Sequence, residues 1–421
     1  MDSFTVNQSA LPITDTKDVV VVGGSFAGMA TALVLTRVGY KTILVEPRTY
    51  LGSEITATLR PWIHIPPDDP KLPELVASII AASGSAPAQG EVSLHLDATK
   101  IRLEDILLEA GVKIQYASLP IGLCVERNRL AGVIVGNKSG RQVILCQVLV
   151  DATETALAAR LAGATFEDRS NHPFCFSRTL LFNVSPTPEM SLLPVPGHLG
   201  LVNNQLRLHR SQLEPGQVLV EYEFERPLFV DTAIERTRGE IFDRSKSWEV
   251  AEYLVTQVPS FHKAALGTIS YETYGPHVTR MSTSVPGWAE KYQAMQVSPE
   301  AGAHFSLAGF AGPVAGLWCL NQAARINSPF WEQICEPTFA HHMGTAFAQA
   351  LLKVWDFKTV SVPIPSSVQK PASKSSPLLK VNDPHDPQRG RAYKRVGVGP
   401  ASIPVAGEVD VLVVGEGPVE R

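Results

Sequence analysis

The sequence predicts an α/β fold, a parallel sheet flanked by helices, with a smaller α+β unit inserted into it. Three observations predict this. The β-branched run Asp18-Val19-Val20-Val21-Val22 passes straight into a glycine turn, then an apolar stretch of helical length, then a second such run, Thr42-Ile43-Leu44-Val45. Two further strand-like runs, Val112–Tyr116 and Val148–Thr153, follow at α/β spacing. Residues 166–300 then change to alternating strands and helical stretches. Short continuous apolar runs are strands buried on both faces, as a helix-covered parallel sheet requires.

Each part of residues 18–46 has a physical task. In Gly23-Gly24-Ser25-Phe26-Ala27-Gly28, Gly23 allows the tight turn off the strand and Gly28 lets the helix pack close to the sheet. The helix from Met29 to Val38 is stopped by Gly39. Its first turn leaves N–H groups free, and with the helix dipole they attract a diphosphate. Ser25 takes the middle glycine position, small enough to leave room and able to donate its hydroxyl hydrogen. Glu46, at the end of the second strand, is where a carboxylate accepts from a ribose diol. Together these form the dinucleotide-binding βαβ pattern of a Rossmann-like domain. Gly23, Gly24, Ser25, Gly28 and Glu46 are therefore candidate cofactor residues, and Arg48 is placed to stack on or pair with the adenosine.

The totals narrow the class. At 421 residues with 44% apolar residues, the chain builds a sizeable core in two domains or one large interrupted one. A net charge of −4, without basic clusters interleaved with aromatics, argues against nucleic acid. Five scattered cysteines without a C-x-x-C pair argue against disulfides, zinc and a thiol redox couple. With neither a signal peptide nor a membrane-length apolar run, a soluble cytoplasmic protein is expected.

Taken in order, residues 1–17 read as a loose arm. After Glu46 and Arg48, the loop Thr58–His64 leaves the ligand edge of the sheet; His64 on it is the candidate catalytic base, because imidazole titrates near neutral pH. Lys100–Ala110 reads as an amphipathic helix ended by Gly111. Three short strands, Ile121–Glu126, Gly132–Val135 and Gln142–Cys146, form a β-meander leading into the strand that ends Asp151-Ala152-Thr153.

This order resembles the FAD-dependent oxidoreductases of the glutathione-reductase structural superfamily over residues 18 to about 166. The signatures that match are Val22–Gly28, Tyr50-Leu51-Gly52-Ser53-Glu54, and Asp151-Ala152-Thr153 followed by a helix ending near Ala162-Gly163-Ala164. The resemblance implies FAD as cofactor, its pyrophosphate flanked by Gly23, Ser25 and Gly28. It also places Glu46 on the adenosine ribose, Arg48 beside the adenine, and Ala152 and Thr153 close to the cofactor. Glu154 departs from the pattern, which has glycine there. If that position takes positive φ the departure costs about 1–2 kcal/mol, and the carboxylate repels the pyrophosphate.

Residues 18–165 are thus the first part of an FAD-binding domain, 166–300 an inserted α+β substrate domain, and 301–360 a return segment. Arg178, His209, Tyr222, Tyr271, Tyr274 and His277 are residues of the insert able to face a ligand. In the return segment, Gly312 and Gly316 lead into a predicted helix Leu317–Ala324, whose start suits the N1–C2=O edge of a reduced flavin. His341 and His342 are adjacent and cannot share one helix face, so no metal site is expected. Residues 361–406 read as a linker. Glu408–Pro418 repeats the opening strand and G-x-G, as if a second FAD-type unit began there. That leaves such a unit, or a homo-oligomer, as the candidate partner.

The leading expectation is a flavoprotein passing hydride or electrons between FAD and a small organic substrate, with dehydrogenase, oxidase and monooxygenase left open. The rival is a degenerate, non-catalytic module that serves as a scaffold.

Overall fold

The computed structural model describes residues 3–6, 9–65, 72–85, 90–169, 173–185, 190–210, 216–228, 233–300, 302–326 and 330–355, with short strands at 368–369, 395–398 and 401–404. The chain enters through strand β1 (Ser9–Thr16) and then β2 (Val19–Val22), helix α1 (Phe26–Arg37) and β3 (Thr42–Val45). All four valines of β2 are fully buried, as the unbroken β-branched run requires. The short helix α2 (Ser53–Thr56) precedes β4 (Trp62–Ile65), which pairs antiparallel with β5 (Gly90–Ser93) across a connection that holds the helix Glu74–Ala82. Helix α3 (Leu96–Glu109) leads to β6 (Lys113–Gln115).

The meander follows as β7 (Leu119–Glu126), β8 (Arg129–Asn137) and β9 (Gly140–Leu145), each pair antiparallel. Next come β10 (Val148–Asp151) and the short helix α4 (Leu157–Leu161). The expected loose arm is corrected in part, because β1 pairs in parallel with β9 and extends the meander sheet.

The insert is a second, antiparallel sheet in the order β12-β13-β14-β11-β15. Its strands are β11 (Phe174–Asn183), β12 (Leu192–Pro194), β13 (Gln205–Arg210), β14 (Gln217–Arg226) and, after helix α5 (Ala233–Gln257), β15 (Ala265–Ile269). A buried ionic network ties α5 to this sheet. Asp243 accepts from Arg226 Nε and Nη2 at 2.8 Å and from the Thr273 hydroxyl at 2.7 Å. Arg178, 1% exposed, donates to Thr273 and pairs with Glu240. Tyr222 is bonded to Ser247 at 2.7 Å. Arg178 and Tyr222 are therefore bonded within the insert.

The return differs from expectation. Leu317–Cys319 is not a helix but strand β16, parallel to β10, and it completes the sheet β16-β10-β2-β3-β6. A short apolar run does not separate a buried strand from a helix, and here an open sheet edge takes it. The last described helix, α6 (Pro337–Val354), packs on α1 so closely that a Cβ on Gly344 would lie 2.2 Å from Ala27 O. Of the expected linker, Arg395–Val398 pairs with β1 and Ala401–Pro404 with Ser3–Val6. Residues 408–418, the expected second motif, lie outside the described residues.

Candidate cofactor and substrate site

The glycine turn stands at the carboxyl end of β2. Gly23 has φ +98°, and a Cβ there would fall 2.5 Å from the Ala152 carbonyl carbon. A Cβ on Gly28 would fall 2.4 Å from Gly23 O. Only glycine allows the β2 and β10 ends and the start of α1 to converge this tightly. Ser25 is the N-cap of α1, its Oγ accepting from Gly28 N at 3.2 Å, which leaves the hydroxyl hydrogen to donate elsewhere. Asp151 is fully buried. Its carboxylate accepts from Thr153 N and Oγ and from Ala159 N, and so caps α4. Asn321, just past β16, donates to the carbonyls of Asp151 and Thr153 and fixes that corner.

Four carboxylates and one guanidinium crowd the same edge. Glu46, 2% exposed, accepts from Gly24 N at 2.6 Å and from Arg48 N at 2.8 Å. Burial raises its pKa, and Arg48 offsets this only in part. Arg48 is bound to Glu272 through Nε at 2.6 Å and to Glu154 through Nη2 at 2.8 Å. Glu154 also takes the Ser53 hydroxyl at 2.5 Å. Burial alone would raise the Glu154 pKa, but Arg48, His277 and the Ser53 bond outweigh it and hold it at about 2. Glu54 accepts from Phe26 N at 2.9 Å, and burial pushes its carboxyl up to about 8.

One expectation for Glu154 is therefore corrected. The positive φ falls two residues later, at Ala156 (φ 50°), so glycine is not required at 154. Its charge is paired with Arg48, which Glu46 and Glu272 share. Arg48, expected beside the adenine, is held in this cluster by the same salt bridge.

A cavity of about 310 Å³ opens between the inserted sheet and the start of α6. Arg60, Phe176, Ser177, Glu221 and Tyr274 line one side, Cys335 and Glu336 the other. The Arg60 guanidinium sits 4.2 Å from the Tyr274 ring centre and 5.1 Å from that of Trp62. It donates to Ser177 Oγ at 2.9 Å and pairs with Glu221. Glu221 also binds His209 Nε2 at 3.0 Å, and His209 Nδ1 meets Glu91 at 2.7 Å. The His209 ring stacks on Trp62 with centres 3.9 Å apart.

His64 is exposed on β4 and is not part of the cavity lining, so the expected base is not brought to it. Gly312 and Gly316 are also misplaced. Added Cβ atoms there would meet Leu317 and Gln147 O at 2.7 Å, at the amino end of β16, whereas the glycine turn is at the carboxyl ends. It is α6, through Cys335 and Glu336, that brings a helix start to the cavity. Of the insert's candidates, Tyr274 lines this cavity, His209 supports it, Tyr271 is 66% exposed, and His277 lines a separate polar cavity. Sequence reasoning missed Arg60, Glu221, Glu272 and the role of Glu54. Only the last carried a signal, as an acid two residues after a turn glycine.

The donor set fits a dinucleotide. The backbone N–H groups of Gly24 and Phe26 hold carboxyl oxygens of Glu46 and Glu54, and Ser25 retains a hydroxyl hydrogen. A parallel sheet entering a helix through such a turn, with an acid ending the next strand, defines a dinucleotide-binding α/β protein. Residues 18–275 match the family described as FAD dependent oxidoreductase, and the chain belongs to that family. It is an FAD-dependent enzyme, and neither fold nor match favours the non-catalytic alternative.

A comparison with curated proteins finds no match. Among solved structures the chain is similar to a geranylgeranyl bacteriochlorophyll reductase-like protein from Thermoplasma acidophilum (16% identity, TM-score 0.49, 80% of this chain and 79% of that one). It is also similar to the OxyS anhydrotetracycline hydroxylase from Streptomyces rimosus (13% identity, TM-score 0.48, 81% and 63%). A third is p-nitrophenol 4-monooxygenase PnpA from Pseudomonas putida (14% identity, TM-score 0.45, 82% and 81%). The assignment rests on the family match alone. Among the described residues, no helix is long and apolar enough to cross a membrane, and no cluster of His, Cys, Asp or Glu is able to hold a metal ion.

Proposed function

We propose that FAD lies across the carboxyl edge of β2, β3 and β10 with its diphosphate at the start of α1. In this reading the cavity beside Arg60 and Tyr274 holds a small organic substrate. Bound there, FAD supplies hydride and electron transfer. Gly23 and Gly28 keep side-chain atoms out of the turn, and Ser25 donates its hydroxyl to a phosphate oxygen. Glu46 retains lone pairs for a ribose diol beyond those used by Gly24 and Arg48. Ala152 and Thr153 line the approach through their backbone. Arg60, clamped between two rings and two acceptors, orients an oxygen-bearing or π-rich substrate without moving. Phe176 and Tyr274 exclude water from it.

The observation that carries this reading is the convergence of Gly23, Gly28 and Ala152 at the carboxyl ends of the strands. Purified protein should be yellow or become so with added FAD, and bleach on anaerobic reduction. Colourless protein that takes up no FAD defeats the reading. Its reoxidation rate in air, with and without candidate substrates, then separates oxidase and monooxygenase behaviour from that of a dehydrogenase.

A further inference from the structure

The amino end of α1, where the reading above seats a diphosphate, is occupied by a side chain of the chain itself. Phe26 N donates to Glu54 Oε1 at 2.9 Å. The other oxygen, Oε2, is buried and has no hydrogen-bond partner, in a residue 8% exposed. The backbone that carries Glu54 is pinned. Gly52 N donates to Gly24 O at 2.9 Å, which staples α2 to the glycine turn. Gly52 itself has φ +66°, with no room for a Cβ against Leu103 Cδ1 at 2.7 Å. Thr58 Oγ holds Glu54 O at 2.6 Å.

A carboxylate at this point and a diphosphate at the same helix start repel strongly in a low-dielectric setting. The charged and titratable groups that face Glu54 are Arg48, Glu154, Tyr274 and Cys335. Arg48 is the only cation among them, and it is committed to Glu46, Glu154 and Glu272. Glu154 adds a further negative charge. A neutral carboxyl removes the conflict and makes Oε2–H a donor, the one hydrogen-bonding role that an orphaned oxygen beside a phosphate is able to fill.

We propose that Glu54 is a cofactor-site residue that carries a proton when FAD is bound, its Oε2–H directed at the diphosphate. FAD binding then takes up one proton from solution whenever Glu54 is ionised in the cofactor-free protein. Burial of the carboxyl, which lifts its pKa to about 8, places that linkage in the weakly alkaline range. The inference rests on the diphosphate position proposed above.

The test uses full-length protein stripped of flavin and titrated with FAD between pH 6 and 9, followed by quenching of flavin fluorescence. Calorimetry in buffers of different ionisation enthalpy counts protons in parallel. For the wild-type chain, Kd should be flat on the acid side and rise towards about tenfold per pH unit above the Glu54 pKa, with close to one proton taken up at pH 9. Glu54→Gln should bind FAD with a flat profile and no proton uptake. Riboflavin, which lacks the diphosphate, should show no such dependence in either protein. A flat wild-type profile without proton uptake overturns the proposal, and so does a Glu54→Gln profile as steep as the wild type. The wild-type proton count decides even if the variant fails to fold. Absence of FAD binding by wild-type protein at every pH overturns the diphosphate placement as well, which sets it apart from a flat profile.

Discussion

Arg48 and Glu154 stand 106 residues apart in the chain and 2.8 Å apart in the fold. The bond joins the strand end that presents Glu46 to the loop after β10, and so ties the two sides of that edge together. A family glycine at 154 would leave that guanidinium to Glu46 and Glu272 alone.

Glu154→Gln should therefore destabilise the protein in a pH-dependent way. The Glu154 carboxyl is held at about 2, below its unfolded value, so its contribution is present above about pH 4.5 and fades as pH falls towards 2. The cost at pH 7 is on the order of 2–3 kcal/mol. Urea unfolding at pH 7 and pH 3 checks this: a wild-type-to-variant gap that does not shrink at pH 3 contradicts the account.

Gly23→Ala combines a positive φ with a Cβ 2.5 Å from backbone atoms of Ala152, none of which has a flexible side chain to yield. An expected loss of about 2–4 kcal/mol should come with loss of copurified flavin absorbance. Retained flavin and unchanged melting would mean that the turn is looser than this geometry.

Gly344→Ala pushes a methyl group into Ala27 O, across the contact between α6 and α1. Overpacking of about 1–3 kcal/mol is expected, with little change in the pH profile, because the added methyl meets backbone atoms of Ala27 and no titratable group. Differential scanning calorimetry at two pH values measures it, and an equal or higher Tm refutes it.

His209→Asn tests the opposite pH sign. Burial works to lower the His209 pKa, but hydrogen bonds to Glu221 and Glu91 outweigh it and raise it above the ordinary value. Its charged form therefore contributes fully below about pH 6.5, and the contribution disappears as pH rises through the raised value. The variant should lose about 1–3 kcal/mol at pH 6 and less at pH 9, with a constant remainder from the lost stacking on Trp62. A gap that widens with pH would show that the imidazole is not charged in this pair.

Much of the cofactor domain was legible because its signals are local. The valines of β2, the glycines of the turn and the helix of α1 lie within one short stretch, and each constrains its neighbours' backbone. Arg60 and Glu221 were not legible, since nothing in either segment shows that a loop of one unit meets a strand of the other. Leu317–Cys319 misled because three apolar residues suit either element, and only the vacancy beside β10 decides. Gly344 lies in an ordinary helical pattern, and its reason is a backbone 317 residues away, as the Thr31–Gly344 contact spanning 313 residues also shows. Glu54 showed as an acid near a turn, but its destination depends on how α2 folds back on Gly24.

Strand β16 joins the sheet beside β10 only after the entire inserted unit has been translated, with Leu149 and Leu317 in register. On the ribosome, β10 must wait with its outer edge bare while more than a hundred residues emerge, a state that invites mispairing and chaperone capture. Stalled nascent chains ending near residue 300 should stay protease-sensitive across 18–165, and those extended past 354 should turn resistant together. Birth of this enzyme is then a matter of patience, the first domain begun being among the last to close.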